Sequence, residues 1–123
     1  MRILPVAHAT HQIQFTSDPG ETVMGWRGAA PPVLGEPVDV ELDIDDTLHW
    51  SEIAVVDAEP GFFRSPAAVA RLRVIALADD GVLTLSVGGA VLLLETYGPP
   101  PDGVVGRVLE VESARLAAYP TGV

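Results

Sequence analysis

The sequence predicts an all-β fold: a single antiparallel barrel or sandwich of about eight short strands, with at most one short helix. Three observations carry this. Pro37 to Asp46, PVDVELDIDD, alternates aliphatic and acidic residues without a break. The long aliphatic stretch from Ala70 to Gly98 is interrupted by Asp79-Asp80-Gly81 and by Gly88-Gly89, the residues that tight hairpin turns demand. No stretch reads as a strong helix.

A chain of 123 residues is sized for one domain, 1–123, that removes roughly two-thirds of its unfolded surface from water. Hydrophobic residues at 48% against 20% charged mark a globular chain rather than a disordered one. The formal charge is −10, from 17 acidic residues against seven arginines and no lysine. Phosphate backbones are repelled by such a surface, so nucleic acid is excluded as a partner and basic proteins or cations are favoured. The missing lysines, with many Ala, Val, Gly, Pro and Arg, suggest a GC-rich bacterial genome. Without cysteine there is neither a disulfide framework nor a thiolate metal site. The apolar run in MRILPVAHAT is broken by Pro5 and is too short for a signal peptide. VLTLSVGGAVLLLE falls short of the roughly 20 residues of a membrane helix. The expectation is a soluble cytoplasmic protein without a membrane partner.

In chain order, THQIQFT (10–16) alternates as a strand and SDPG follows as a turn. ETVMGWRG (21–28) is a short second strand, its glycines marking a bulge or a close approach. AAPPVLG (29–35) is an extended proline-rich connector, since Pro31 and Pro32 donate no ladder hydrogen bond. Within the acidic strand, Val38, Val40, Leu42 and Ile44 share one face, and Asp39, Glu41, Asp43 and Asp45 the other. A parity change near Ser51 and Glu52 precedes a fourth strand around 52–58. PGFFRSP (60–66) reads as a loop with an apolar tip, and Ser65-Pro66 as the start of one helical turn over 66–70. Three aliphatic strands between Ala70 and Gly98 lie at the centre of the core. PPPDG (99–103) is a surface loop, followed by strands near 104–112 and 115–119. Val108, Val111 and Arg115 also sit at helical spacing, which keeps a helix over 107–118 open.

An apolar meander followed by a loop and a closing strand is similar, at the level of fold, to OB-like bacterial β-barrels. The resemblance covers strand order and turns over about two-thirds of the chain and brings no functional residues with it.

The acidic row is the first candidate site. Carboxylates two apart on a strand lie about 7 Å from each other, too far for one pair to grip a small cation. Asp43, Asp45 and Asp46 start like a calcium loop but lack its glycine and distant glutamate. Glycoside hydrolysis needs carboxylates facing each other across a cleft, not side by side. In water such neighbours repel by only about 0.6 kcal/mol, so a solvated face is tolerable. A basic partner protein is the functional use of it. Phe62, Phe63 and Arg64 are the second candidate, because aromatic and arginine side chains dominate binding hot spots.

His8 and His11, in HATHQ, face opposite ways in a strand and meet only in a turn. Ser51, His49 and Asp46 can be written as a triad, yet no nucleophile elbow flanks the serine. No catalytic residue, metal site or cofactor is assigned.

The leading expectation is a non-catalytic acidic module that binds a protein through Asp39, Glu41, Asp43, Asp45, Phe62, Phe63 and Arg64. The alternative is a small-ligand or metal-binding barrel, possible as an enzyme, using His49 with Asp45 or Glu52 at a barrel mouth. In size and charge the chain is also similar to immunity proteins that mask basic nuclease toxins. The sequence assigns no oligomeric state.

Overall fold

The computed structural model describes residues 1–121. Among them, twelve strands join one continuous sheet. These are β1 (Arg2–Ala9), β2 (Gln12–Ser17), β3 (Gly20–Trp26), β4 (Val38–Ile44), β5 (Leu48–His49), β6 (Ala54–Val56), β7 (Gly61–Phe63), β8 (Val69–Leu77), β9 (Val82–Val87), β10 (Ala90–Tyr97), β11 (Val108–Glu112) and β12 (Leu116–Pro120). The fold is all-β, as the alternation and the turn residues predict.

Five of these strands close a small barrel. β1, β2 and β3 form an antiparallel meander. β3 then runs parallel to β12, β12 antiparallel to β4, and β4 returns to β1 through Arg2↔Asp39 and Ile3↔Val38. The acidic strand is therefore a barrel stave, and its alternation gives it one wet and one dry face. Val40, Leu42 and Ile44 are buried, while Asp39 and Glu41 are exposed.

Between β4 and β12 the chain leaves the barrel and builds an outer sheet. β7 joins β3 at Gly20↔Phe62 and continues into β8. One edge of β8 carries β7 and then β9, because Ala70 pairs with both Phe62 and Val111, and Arg73 with both Ser86 and Val108. β11 takes the opposite edge and adds β6, while β10 follows β9 through the Gly88-Gly89 turn. Both turn glycines have positive φ (+52° and +83°), the conformation that a two-residue hairpin needs.

Barrel and outer sheet share one apolar cluster, from Ile13, Phe15 and Met24 through Phe62 to Leu72, Leu85 and Leu94. Phe15 meets Phe62 edge to face, with centroids 5.4 Å apart. Each fully buried side chain of this kind contributes about 1.5–3 kcal/mol. At the seam Gly20 has a φ of +133°, and a Cβ there would strike the Phe62 carbonyl.

One strand is added to those expected, and four expectations are corrected. Residues 2–9 form β1 in spite of Pro5. Its carbonyl accepts from Gly35 N–H at 2.8 Å, on the side away from β2, so the missing proline N–H removes no bond to β2. Gly61–Phe63 is a strand rather than a loop tip, because its backbone fills the edge between β3 and β8. No helical turn forms over 66–70: residues 65–67 bend and β8 begins at Val69. The helix over 107–118 reduces to a 3₁₀ turn, Ser113–Arg115, between β11 and β12. The parity change near Ser51 is also a 3₁₀ turn, Trp50–Glu52.

The three-strand meander is buried on one face only. Val74, Leu85 and Leu92 form an inward row, whereas Ile75, Val91 and Leu93 are half or more exposed. No helix among the described residues is long and apolar enough to cross a membrane.

Candidate functional site

The outward face of β4 is the first candidate, and the barrel brings arginines to it from three directions. Arg2, opposite Asp39 in the register, forks onto its carboxylate with Nε–Oδ1 at 3.1 Å and Nη2–Oδ2 at 3.2 Å. This hydrogen bond and the charge behind it hold Asp39 below its ordinary pKa and raise that of Arg2. Asp43 Oδ1 accepts the Ile44 N–H at 2.9 Å, so it caps a backbone donor at the end of its own strand. Asp45 accepts from Tyr119 Oη at 3.0 Å and lies 3.6 Å from Arg27 Nε. That hydrogen bond, followed by burial and the Asp45 charge, raises the Tyr119 pKa. Arg115 bridges Asp46 at 3.7 Å and Glu52 at 3.1 Å.

The row therefore has arginine counter-charges at its ends. These pairs are exposed: the Arg2 and Asp39 side chains keep 71% and 54% of their surface. Pairs this wet contribute about 0–1 kcal/mol and exchange readily with other ions. Among the described residues, Glu41 and Asp43 have no cation within ion-pair distance. An open acidic segment thus lies between two neutralised ends.

The second candidate divides. Phe62 is 2% exposed and belongs to the core, where no partner reaches it. Phe63 is half-buried beneath the Arg71 guanidinium, 4.5 Å from the ring centroid, and Arg64 is exposed. Thr22 Oγ1 donates to the Phe63 carbonyl at 3.0 Å and lies 2.9 Å from Ser113 Oγ, which ties this strand to both halves of the fold.

No family model, no curated protein and no solved structure matches the chain.

His49 and Ser51 do touch, with Nδ1 and Oγ 2.8 Å apart, but the contact is a turn cap. His49 Nδ1 accepts the Ser51 N–H at 3.0 Å, and Glu52 Oε1 accepts the His49 N–H at 3.0 Å, a reciprocal capping box. Asp46 pairs with Arg115 instead of orienting the imidazole. His49, Ser51 and Glu52 are thus engaged in capping the Trp50–Glu52 turn, and Asp46 does not join them.

His8 and His11 are brought together at the open end of the barrel. His8 shares the inward row with Ile13, and His11 occupies the β1–β2 turn with a φ of +60°. Along with Trp26, Pro31 and Pro32 they line an open groove of about 480 Å³. Trp26 Nε1 donates to the Ala30 carbonyl at 2.8 Å and holds the proline-rich strap against the mouth. Among the described residues, no three His, Asp or Glu side chains cluster closely enough to hold a metal ion.

Sequence reasoning missed Arg2, Arg27, Arg115 and Tyr119. No local signal marks them, since the fold delivers them from 37 to 74 positions away along the chain for Arg2 and Tyr119.

Proposed function

We propose that the chain is a non-catalytic, OB-like, cytoplasmic binding module whose β4 face takes a basic partner protein. The carrying observation is the outward row Asp39, Glu41, Asp43 and Asp45 on a rigid barrel stave, with Glu41 and Asp43 unneutralised between exposed arginine pairs. A row fixed by the barrel presents its charges without an ordering cost, and the partner's lysines or arginines displace only weak intramolecular pairs. Phe63 at the end of β7 and the adjoining Arg64 supply a second contact. The barrel order, with its third and fifth staves parallel, supports the OB-like reading. An immunity-type inhibitor of a basic toxin is the specific case in which the partner is a nuclease.

Titration with an oligo-arginine peptide tests this at about 0.01 M and about 0.15 M salt, where the screening length falls from roughly 30 Å to roughly 8 Å. Binding that weakens with salt and with Glu41→Gln plus Asp43→Asn supports the proposal. Asparagine keeps the acceptor that caps Ile44, so this double variant removes charge without releasing the strand end. Salt-independent binding, or none at low salt, overturns the proposal.

One observation favours a second reading, a small-ligand barrel: the groove of His8, His11 and Trp26 at the barrel mouth. Zinc would then raise the melting temperature of the native chain, and His8→Ala with His11→Ala would remove the rise.

A further inference from the structure

The outward face of the β8–β9–β10 meander has the opposite chemistry to β4. Its rows are Arg73–Ser86–Val91, Ala76–Thr84–Leu93 and, at the far end, Val82–Glu95. Ile75, Val91 and Leu93 are exposed at 50%, 64% and 56%. Val105 joins them, because Gly106 N–H bonds the Val74 carbonyl and lays the 104–107 loop beside β8. Four large aliphatic side chains exposed on one side of the sheet mark an interaction site rather than a solvated face.

We infer that this face is a self-association surface whose occupant is a second copy of the chain. Charge selects the occupant. The chain carries −10, so two copies repel over most of their surfaces, and the acidic β4 face cannot meet its own image. In these three rows the charges are Arg73 and Glu95, at diagonally opposite corners of the patch, while Arg71, farther along β8, is paired with Glu110 on β11 at 3.9 Å. A two-fold axis across that diagonal stacks the two sheets and seats Arg73 of each copy over Glu95 of the other. Ile75 of β8 and Val91 and Leu93 of β10, with Ser86 and Thr84 of β9 between them, meet between the two ion pairs, a self-complementary arrangement as two-fold interfaces require. Both groups have capacity to spare. Arg73 donates from Nη1 to the Gly106 carbonyl and, among the described residues, has the largely solvated Glu59 at 3.8 Å as its one counter-ion. Glu95 accepts a single bond, from Thr47 Oγ1 at 3.0 Å. With four exposed aliphatic side chains and two ion pairs against a net charge of −10 on each copy, the dimer is a transient one.

Sedimentation equilibrium of the full chain from roughly 1 μM to roughly 1 mM tests this. The expected result is a reversible monomer–dimer equilibrium. Leu93→Glu should weaken it at least about 100-fold, since the substitution enters the interface twice. Arg73→Glu alone should weaken it, and Arg73→Glu with Glu95→Arg should restore it, a rescue that misfolding does not produce. A chain monomeric throughout this range overturns the inference, as does a dimer indifferent to Leu93→Glu or a charge swap without rescue.

Discussion

β4 and β10 are both alternating strands with a buried aliphatic row, and they differ only in what the other row carries. On β4 it is Asp39, Glu41 and Asp43; on β10 it is Val91, Leu93, Glu95 and Tyr97. The inward rows do the same work, joining one shared core. The outward rows set opposite relations with water and with other molecules. The acidic row is held by exchangeable arginine pairs and attracts a cationic surface. The aliphatic row gains by leaving water, a term that salt does not screen, and leaves only the Arg73 and Glu95 corners sensitive to salt.

The largest expected effect tests whether barrel and outer sheet are one cooperative unit. Phe62→Ala should cost about 3–5 kcal/mol in urea unfolding, because it empties the seam against Phe15. Phe63→Ala should cost about 1 kcal/mol or less, the scale of its contact with Arg71. Equal costs would make the seam no more central than the surface. Next, Leu42→Ala on β4 and Leu92→Ala on β10 should each cost about 2–5 kcal/mol in a single transition. Two separate transitions would break the comparison, since the outer sheet would then unfold alone. Smaller again, His49→Ala removes the cap of the Trp50–Glu52 turn and should cost about 1 kcal/mol without affecting oligo-arginine binding.

How the two rows were legible is itself uneven. The facing of β4 follows from alternation alone, since period two fixes which side chains share a face. The meander misleads because aliphatic residues occupy both parities from Val82 to Leu94, which reads as burial on both faces. β1 is concealed by Pro5 and β7 by the prolines that flank it, and only long-range pairing shows that neither breaks a ladder. At the site, the carboxylates are local in sequence and readable. Their partners Arg2, Arg27, Arg115 and Tyr119 are placed by barrel closure, which no local pattern encodes.

The smallest effects are in pH. Asp39 has a lowered pKa in the folded chain, so its contribution is present above the unfolded carboxylate value of about 3.9 and is lost as pH falls through the folded value. Tyr119 has a raised pKa, so its contribution is present below 10.0 and is lost as pH rises through the folded value. In stability measured against pH, Asp39→Asn should flatten the acid limb and Tyr119→Phe the alkaline limb. Unchanged limbs would mean that these surface pairs leave stability untouched.

The most direct test of the acidic face is an amide chemical-shift map of the ¹⁵N-labelled chain during titration with oligo-arginine at low salt. The account predicts shifts confined to residues 39–46, the neighbouring strand Leu116–Pro120 and the displaced Arg2 and Arg27, with Val91 and Leu93 unmoved. Shifts centred on the β8–β10 face or on the His8–His11 groove, with β4 silent, would contradict it.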